Sequence, residues 1–155
     1  RVIAESGGAK LTFYRHFPSK NDLVLAYLDH RHALWMQWFV DALQRKGSAR
    51  KGIGALVPAL AEWFEDEGYR GCAFLNSVSE LGAMLPEVCA VSRSHKQDMT
   101  AVIADLLPPS RQRARQAAAI ALAVDGAIVQ AQFCEGASEA LKSLGMVVDA
   151  TCRPV

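Results

Sequence analysis

A chain of 155 residues, 51% apolar, 21% charged and 8% aromatic, has the make-up of a globular domain and excludes disordered, collagenous and disulfide-stapled classes. Folding at this length buries roughly 70% of the unfolded surface, so a core needs neither metal nor disulfide. The best apolar stretch, residues 117–133, is interrupted by Asp125, Gln130 and Gln132, short of the ~20 residues of a membrane span; no membrane segment is expected.

The predicted elements run in order as follows. The chain opens at Arg1 in mid-pattern, which we read as N-terminally incomplete. A short helix ends at Ser6, Gly7 and Gly8 make a turn, and a second short helix covers about residues 9–17. Pro18 and Ser19 then open a long helix, with Ser19 able to cap and Asp22 three residues on, as in a capping box. Its apolar stripe is Leu23, Tyr27, Leu34 and Trp38, flanked by Val24, Leu28, Trp35 and Phe39, and it stops at Gly47. Further helices fit 53–67, 72–83, 87–107, 111–134 and 138–152, punctuated by Gly and Pro. The expected fold is all-α: a head with its connecting helix at 1–46 and a helical body at 47–155.

The net charge of +1 is unevenly spread. Residues 1–50 hold eight Lys/Arg against four Asp/Glu, whereas residues 51–155 hold nine against twelve. A basic head on an acidic body suits contact with a polyanion at one end. The cysteines, Cys72, Cys89, Cys134 and Cys152, are widely spaced without a CxxC; they read as small buried residues in a cytoplasmic protein, with no metal site.

Two short helices around a Gly-containing turn are the signature of a helix-turn-helix. Phe13 and Phe17, four apart, face a small core, and Ile3 joins them from the first helix. At about 100° per residue, Leu11, Thr12, Tyr14 and Arg15 then project outward. Thr and Arg can reach base edges in a major groove, and Tyr can reach phosphate or sugar. Lys20 sits at the start of the next helix, where free amides also favour a phosphate.

The stretch SGGAKLTFYRHFPSKNDLV resembles the tetracycline-repressor (TetR/AcrR) family, whose motif runs close to A-G-V-S-x-x-T-L-Y-x-H-F-x-S-K-x-x-L. Gly7, Thr12, Tyr14, His16, Phe17, Ser19, Lys20 and Leu23 all match it. Gly8 replaces the usual Val, Leu11 a frequent Gly, and Ala9 the usual Ser or Thr cap, a loss worth about 1 kcal/mol. The family's first helix is not represented in the chain. The resemblance implies a one-component transcriptional regulator, a repressor, that binds double-stranded operator DNA as a homodimer. Lys10, Leu11, Thr12, Tyr14 and Arg15 would face the groove, with His16 and Lys20 on the phosphates. It also implies a ligand cavity in the body and release by a small-molecule effector.

The body offers candidates without a signature. His95 lies on the stripe Val88, Val91, His95, Met99, Val102, Leu106 and reads either as a core histidine or as a ligand contact. Trp35, Trp38, Phe39, Trp63, Phe64 and Phe74 are core or cavity wall. Asn76 and Glu80, four apart, face solvent or a cavity. The expected effector site is therefore Trp63, Phe74, Asn76, Glu80, His95 and Met99 around a pocket of roughly 300–1,000 Å³, filled by an apolar or aromatic molecule with one or two hydrogen-bonding atoms. The helix at 111–134 is apolar almost all round, so it must be covered on two sides; Ala121, Val124, Ala127, Ile128 and Ala131 are the expected dimer contact. Asp125 faces the cavity or the partner.

Enzyme motifs are missing: no GxSxG, no HExxH and no P-loop, since KGIGAL lacks the GK[ST] that cradles phosphate. No catalytic residue and no cofactor is expected. The run Asp29-His30-Arg31-His32 reads as a solvated helix face. Two alternatives stand beside the effector-responsive regulator: a metal-responsive regulator using His95 and a cysteine, and a helical protein-interaction module without DNA binding.

Overall fold

The computed structural model describes residues 14–47, 52–133 and 137–153. Residues 14–16 are helical, and Lys10, Leu11 and Thr12 lie outside the described residues. There follow α1 (Lys20–Gly47), a 3-10 turn η1 (Gly52–Ala55), α2 (Leu56–Phe64), α3 (Ala73–Leu81), α4 (Pro86–Asp105), α5 (Arg113–Phe133) and α6 (Ser138–Cys152). The fold is all-α, without a strand among the described residues.

The capping box forms at the start of α1. The amide and hydroxyl of Ser19 donate to Asp22 Oδ2 at 3.0 and 2.7 Å, and the amide of Asp22 donates to Ser19 Oγ at 3.1 Å. An N-cap of this kind stabilises a helix end by about 1 kcal/mol. From there α1 extends about 42 Å at 1.5 Å per residue. Its buried side chains are Leu28, Trp35, Phe39, Ala42 and Leu43. The inward stripe is thus the set expected to flank it, while Tyr27 and Leu34 of the expected stripe are exposed.

Helix α1 packs on α2, α3 and α4, α4 on α5, and α5 on α6. Between them lies one core that includes Leu56 and Leu60 of α2, Phe74 of α3, Val88, Met99 and Ile103 of α4, Ile120 and Val124 of α5 and Leu144 of α6. At the junction of η1 with the end of α4 the backbones nearly touch. Gly52 has φ +61°, and a Cβ there would stand 2.9 Å from the Leu106 carbonyl oxygen. Only glycine combines that backbone with that approach.

Helix α5 is long and apolar enough to cross a membrane by length and composition, with a mean hydropathy of 1.2, where the sequence reading counted its polar interruptions and found no such segment. Its place in the fold gives a different reason for the apolarity. One face, including Ala117, Ile120, Val124 and Ile128, is buried in the core. Gln116 Nε2 donates to the Thr151 carbonyl at 2.9 Å, tying α5 to α6. Asp125 points neither to a cavity nor to a bare face: Lys96 Nζ of α4 meets its Oδ1 at 2.5 Å. A half-buried carboxylate in an apolar helix is satisfied in this way by its neighbour.

Candidate functional site

At the head, Tyr14, Arg15, His16 and Lys20 are exposed and Phe17 is half-buried. Phe17 is thus more covered than its polar neighbours, which stay outside. Asp22, which would repel a phosphate, has Oδ2 drawn onto the Ser19 cap. Lys20 in the same turn makes the positive contribution at this helix start, added to that of the dipole.

Under α1 the aromatic residues form a cluster. Phe74 stacks on His95 with ring centroids 3.7 Å apart and planes within 12°. Trp35 meets His95 edge-on at 5.1 Å and Trp63 at 5.5 Å, and stacks on Phe39 at 4.7 Å. The slot left between Arg31, Trp35, Trp63, Phe74 and His95 holds about 10 Å³, barely room for one water. This corrects the expected cavity: the rings fill the space that composition alone leaves open. Met99 packs in the core and does not line the slot. Asn76 and Glu80 line a separate surface groove of about 200 Å³ together with Tyr27, Arg31 and Arg70, and Asn76 Nδ2 donates to the Arg70 carbonyl at 3.1 Å. The six expected effector contacts therefore do not surround one void.

His95 is 2% exposed and both packs in the core and lines the slot. Its Nδ1 lies 3.1 Å from Nδ1 of His32, and His32 Nε2 lies 3.7 Å from Asp98 Oδ2. Burial, then the charges of Lys96 and His32, push the His95 pKa down to about 3. At neutral pH His95 is uncharged, and one of the two facing nitrogens donates while the other accepts. Sequence reasoning missed Arg31 and His32 by assigning their run to a solvated face. The signal was present: positions 28, 32, 35 and 39 follow helical spacing, so His32 belongs to the stripe of Leu28, Trp35 and Phe39. Two donors here are buried without a partner, Trp35 Nε1 and Arg31 Nε. Among the described residues no three His, Cys, Asp or Glu side chains are grouped to hold a metal ion.

The third region is the outer seam of α5 and α6. The residues expected to meet a second subunit are mostly inside: Val124 and Ile128 are 0% exposed, Ala121 and Ala127 are buried, and Ala131 is half-buried. An all-round apolar helix does not declare which face its own core takes. The bare face carries Leu122 at 75% exposure, Phe133 at 76% and Met146 at 73%. Between the helices runs an open groove of about 310 Å³ whose walls include Ala123, Gly126 and Gln130 on α5 and Ser143 and Val147 on α6.

The arrangement of a capped head, a long connecting helix and a bundled body matches a solved structure. A TetR-family transcriptional regulator from Streptomyces coelicolor superposes with a TM-score of 0.79 at 23% identity, over 99% of this chain and 84% of that one. No family profile matches the sequence, and no curated protein does. The chain has the fold of a TetR-family regulator.

Proposed function

We propose that the protein is a DNA-binding transcriptional regulator, a repressor that acts as a homodimer and is released from its operator by a small aromatic effector. The observation that carries this reading is the head. Tyr14, His16, Phe17, Ser19 and Lys20 stand at the spacing of a DNA-reading motif, Phe17 faces in, the polar members face out, and the whole chain has the fold of such a regulator. Lys10, Leu11 and Thr12 belong to the same reading surface by sequence. A bare apolar seam on α5 and α6 supports pairing with a second copy, because exposed Leu122, Phe133 and Met146 are costly to leave in water. Two heads about 34–36 Å apart can then read successive major grooves. An effector bound beneath α1 would shift the tilt of that helix and with it the spacing, provided it binds the two states unequally.

The test is duplex binding by the intact protein. Affinity for a pseudo-palindromic duplex selected from a genomic pool should fall steeply with salt, since each neutralised phosphate releases counterions. Lys20→Ala should weaken all duplexes alike, whereas Arg15→Ala or Thr12→Ala should also relax base preference. Absence of salt-dependent duplex binding across the pool would overturn the regulator reading.

A further inference from the structure

The slot beneath α1 is one of three neighbouring voids that share the same wall. Arg31 and Trp63 border the slot of about 10 Å³, the groove of about 200 Å³ beside α3, and an open cleft of about 480 Å³ beside α2. Both side chains are half-buried, and moving them joins the slot to its neighbours at the cost of ring contacts that Trp63 makes with Trp35, Trp38 and Tyr69. The side chains around the slot are flat: Trp35, Trp63, Phe74 and His95. Rings set face and edge to one another accept another ring between them more readily than a branched aliphatic group.

The unpartnered polar groups at the slot are donors. Arg31 Nε and Trp35 Nε1 are buried and unpartnered, and such donors each forgo a hydrogen bond that water or a ligand would supply. Arg31 is the one permanently charged side chain lining the slot, because burial keeps the His95 imidazole neutral. The carboxylates nearby are mostly engaged. Glu62 is held by Arg45 at 2.5 Å and Lys46 at 2.9 Å, and Asp66 accepts from the Gly68 amide at 2.7 Å. Glu80 lines the groove together with Arg31 and Arg70, so the cations outnumber the carboxylate there and an anion is favoured beside Arg31.

We propose that the effector is a small planar aromatic carboxylate, its ring entering beside Trp63 and the Phe74–His95 stack and its carboxylate accepting from Arg31 and the Trp35 indole. This rests on the effector-responsive reading above and gives that site its ligand class. The joined voids have room for one or two fused rings.

The chain has three tryptophans, Trp35, Trp38 and Trp63, all within this cluster, so intrinsic fluorescence reports on the site directly. The intact protein is titrated with benzoate and 2-naphthoate, and separately with benzamide and 2-naphthamide, while operator release is followed in parallel. The acids should give a saturable change and bind at least about tenfold tighter than their amides, as a charged hydrogen bond allows. Arg31→Gln should close that gap while leaving residual ring affinity and operator binding, and Arg31→Lys should keep part of it. Amides that match the acids, a gap that survives Arg31→Gln, or no saturable response to any of the four would overturn the proposal. Acids that bind through Arg31 in a protein with no affinity for DNA would uphold the ligand class and remove the regulator reading. A salt-sensitive duplex complex that neither acid binds or releases would do the reverse.

Discussion

The aromatic cluster under α1 and the seam of α5 and α6 are both apolar, and they end in opposite states. The cluster is closed by its own side chains down to a slot of about 10 Å³. The seam carries small residues along an open groove of about 310 Å³ and leaves Leu122, Phe133 and Met146 bare. Large rings fill a space from within the chain, whereas small side chains let a second backbone approach from outside. Equal hydrophobicity therefore closes a core in one place and leaves an open, exposed face in the other, and the residue volumes decide which.

The largest test of this contrast sets a core residue against a seam residue. Phe39, 0% exposed and stacked on Trp35, should lose about 3–5 kcal/mol of stability on truncation to Ala, measured by urea unfolding. Leu122→Arg should change monomer stability by no more than about 0.5 kcal/mol, as surface substitutions do, yet leave a monomer in sedimentation where the wild type is a dimer. A wild type that stays monomeric at tens of micromolar, or a Leu122→Arg protein that still pairs, would break the comparison.

The two regions should also differ in their response to acid. His95 has a folded pKa of about 3 against an ordinary value of 6.5, so between these pH values the unfolded chain binds a proton that the folded chain refuses. Stability from this residue is complete above pH 6.5 and is lost as pH falls towards 3. By pH 5 the loss should reach about 2 kcal/mol. His95→Gln should flatten this part of the pH–stability curve, whatever it does to stability at pH 7. An unchanged acid slope in that variant would mean that the cluster is not the acid-sensitive element.

Much of this was legible in the sequence for definite reasons. Capping box, Gly and Pro punctuation and helical spacing are local chemistry, and the helices from Ser19 to Cys152 stand within a few residues of where those signals put them. The capping box was read residue for residue, Ser19 with Asp22. What periodicity could not decide was orientation where a helix is apolar on several sides. Val124 and Ile128 look as fit for a partner as Leu122 does, and only the packing of α4 and α6 against α5 separates them. Nor does composition report how much of a space its own rings occupy, which is why Trp63, Phe74 and His95 pointed to a cavity that they largely fill. Arg31 and His32 were hidden by their polarity, although their spacing belongs to the buried stripe.

The smallest expected effect sharpens the comparison most, because it should carry opposite signs in monomer and dimer. Gly126 lies within α5 on the groove, and a Cβ built there meets nothing within 4 Å in a single chain. Replacing a helical glycine by alanine restricts the unfolded chain and should raise monomer stability by roughly 0.5–1 kcal/mol. If a second copy packs its backbone against this seam, the same methyl group stands in the way and the dimer should weaken. Monomer stability is measured in the Leu122→Arg background, with and without Gly126→Ala, and dimer affinity by sedimentation of the Gly126→Ala protein alone. A more stable monomer with a weaker dimer identifies Gly126 as a point of close approach between subunits. A rise in both would show that the partner seats elsewhere on the exposed face, on Phe133 and Met146, and that the small residues at the groove serve the helix pair of a single chain.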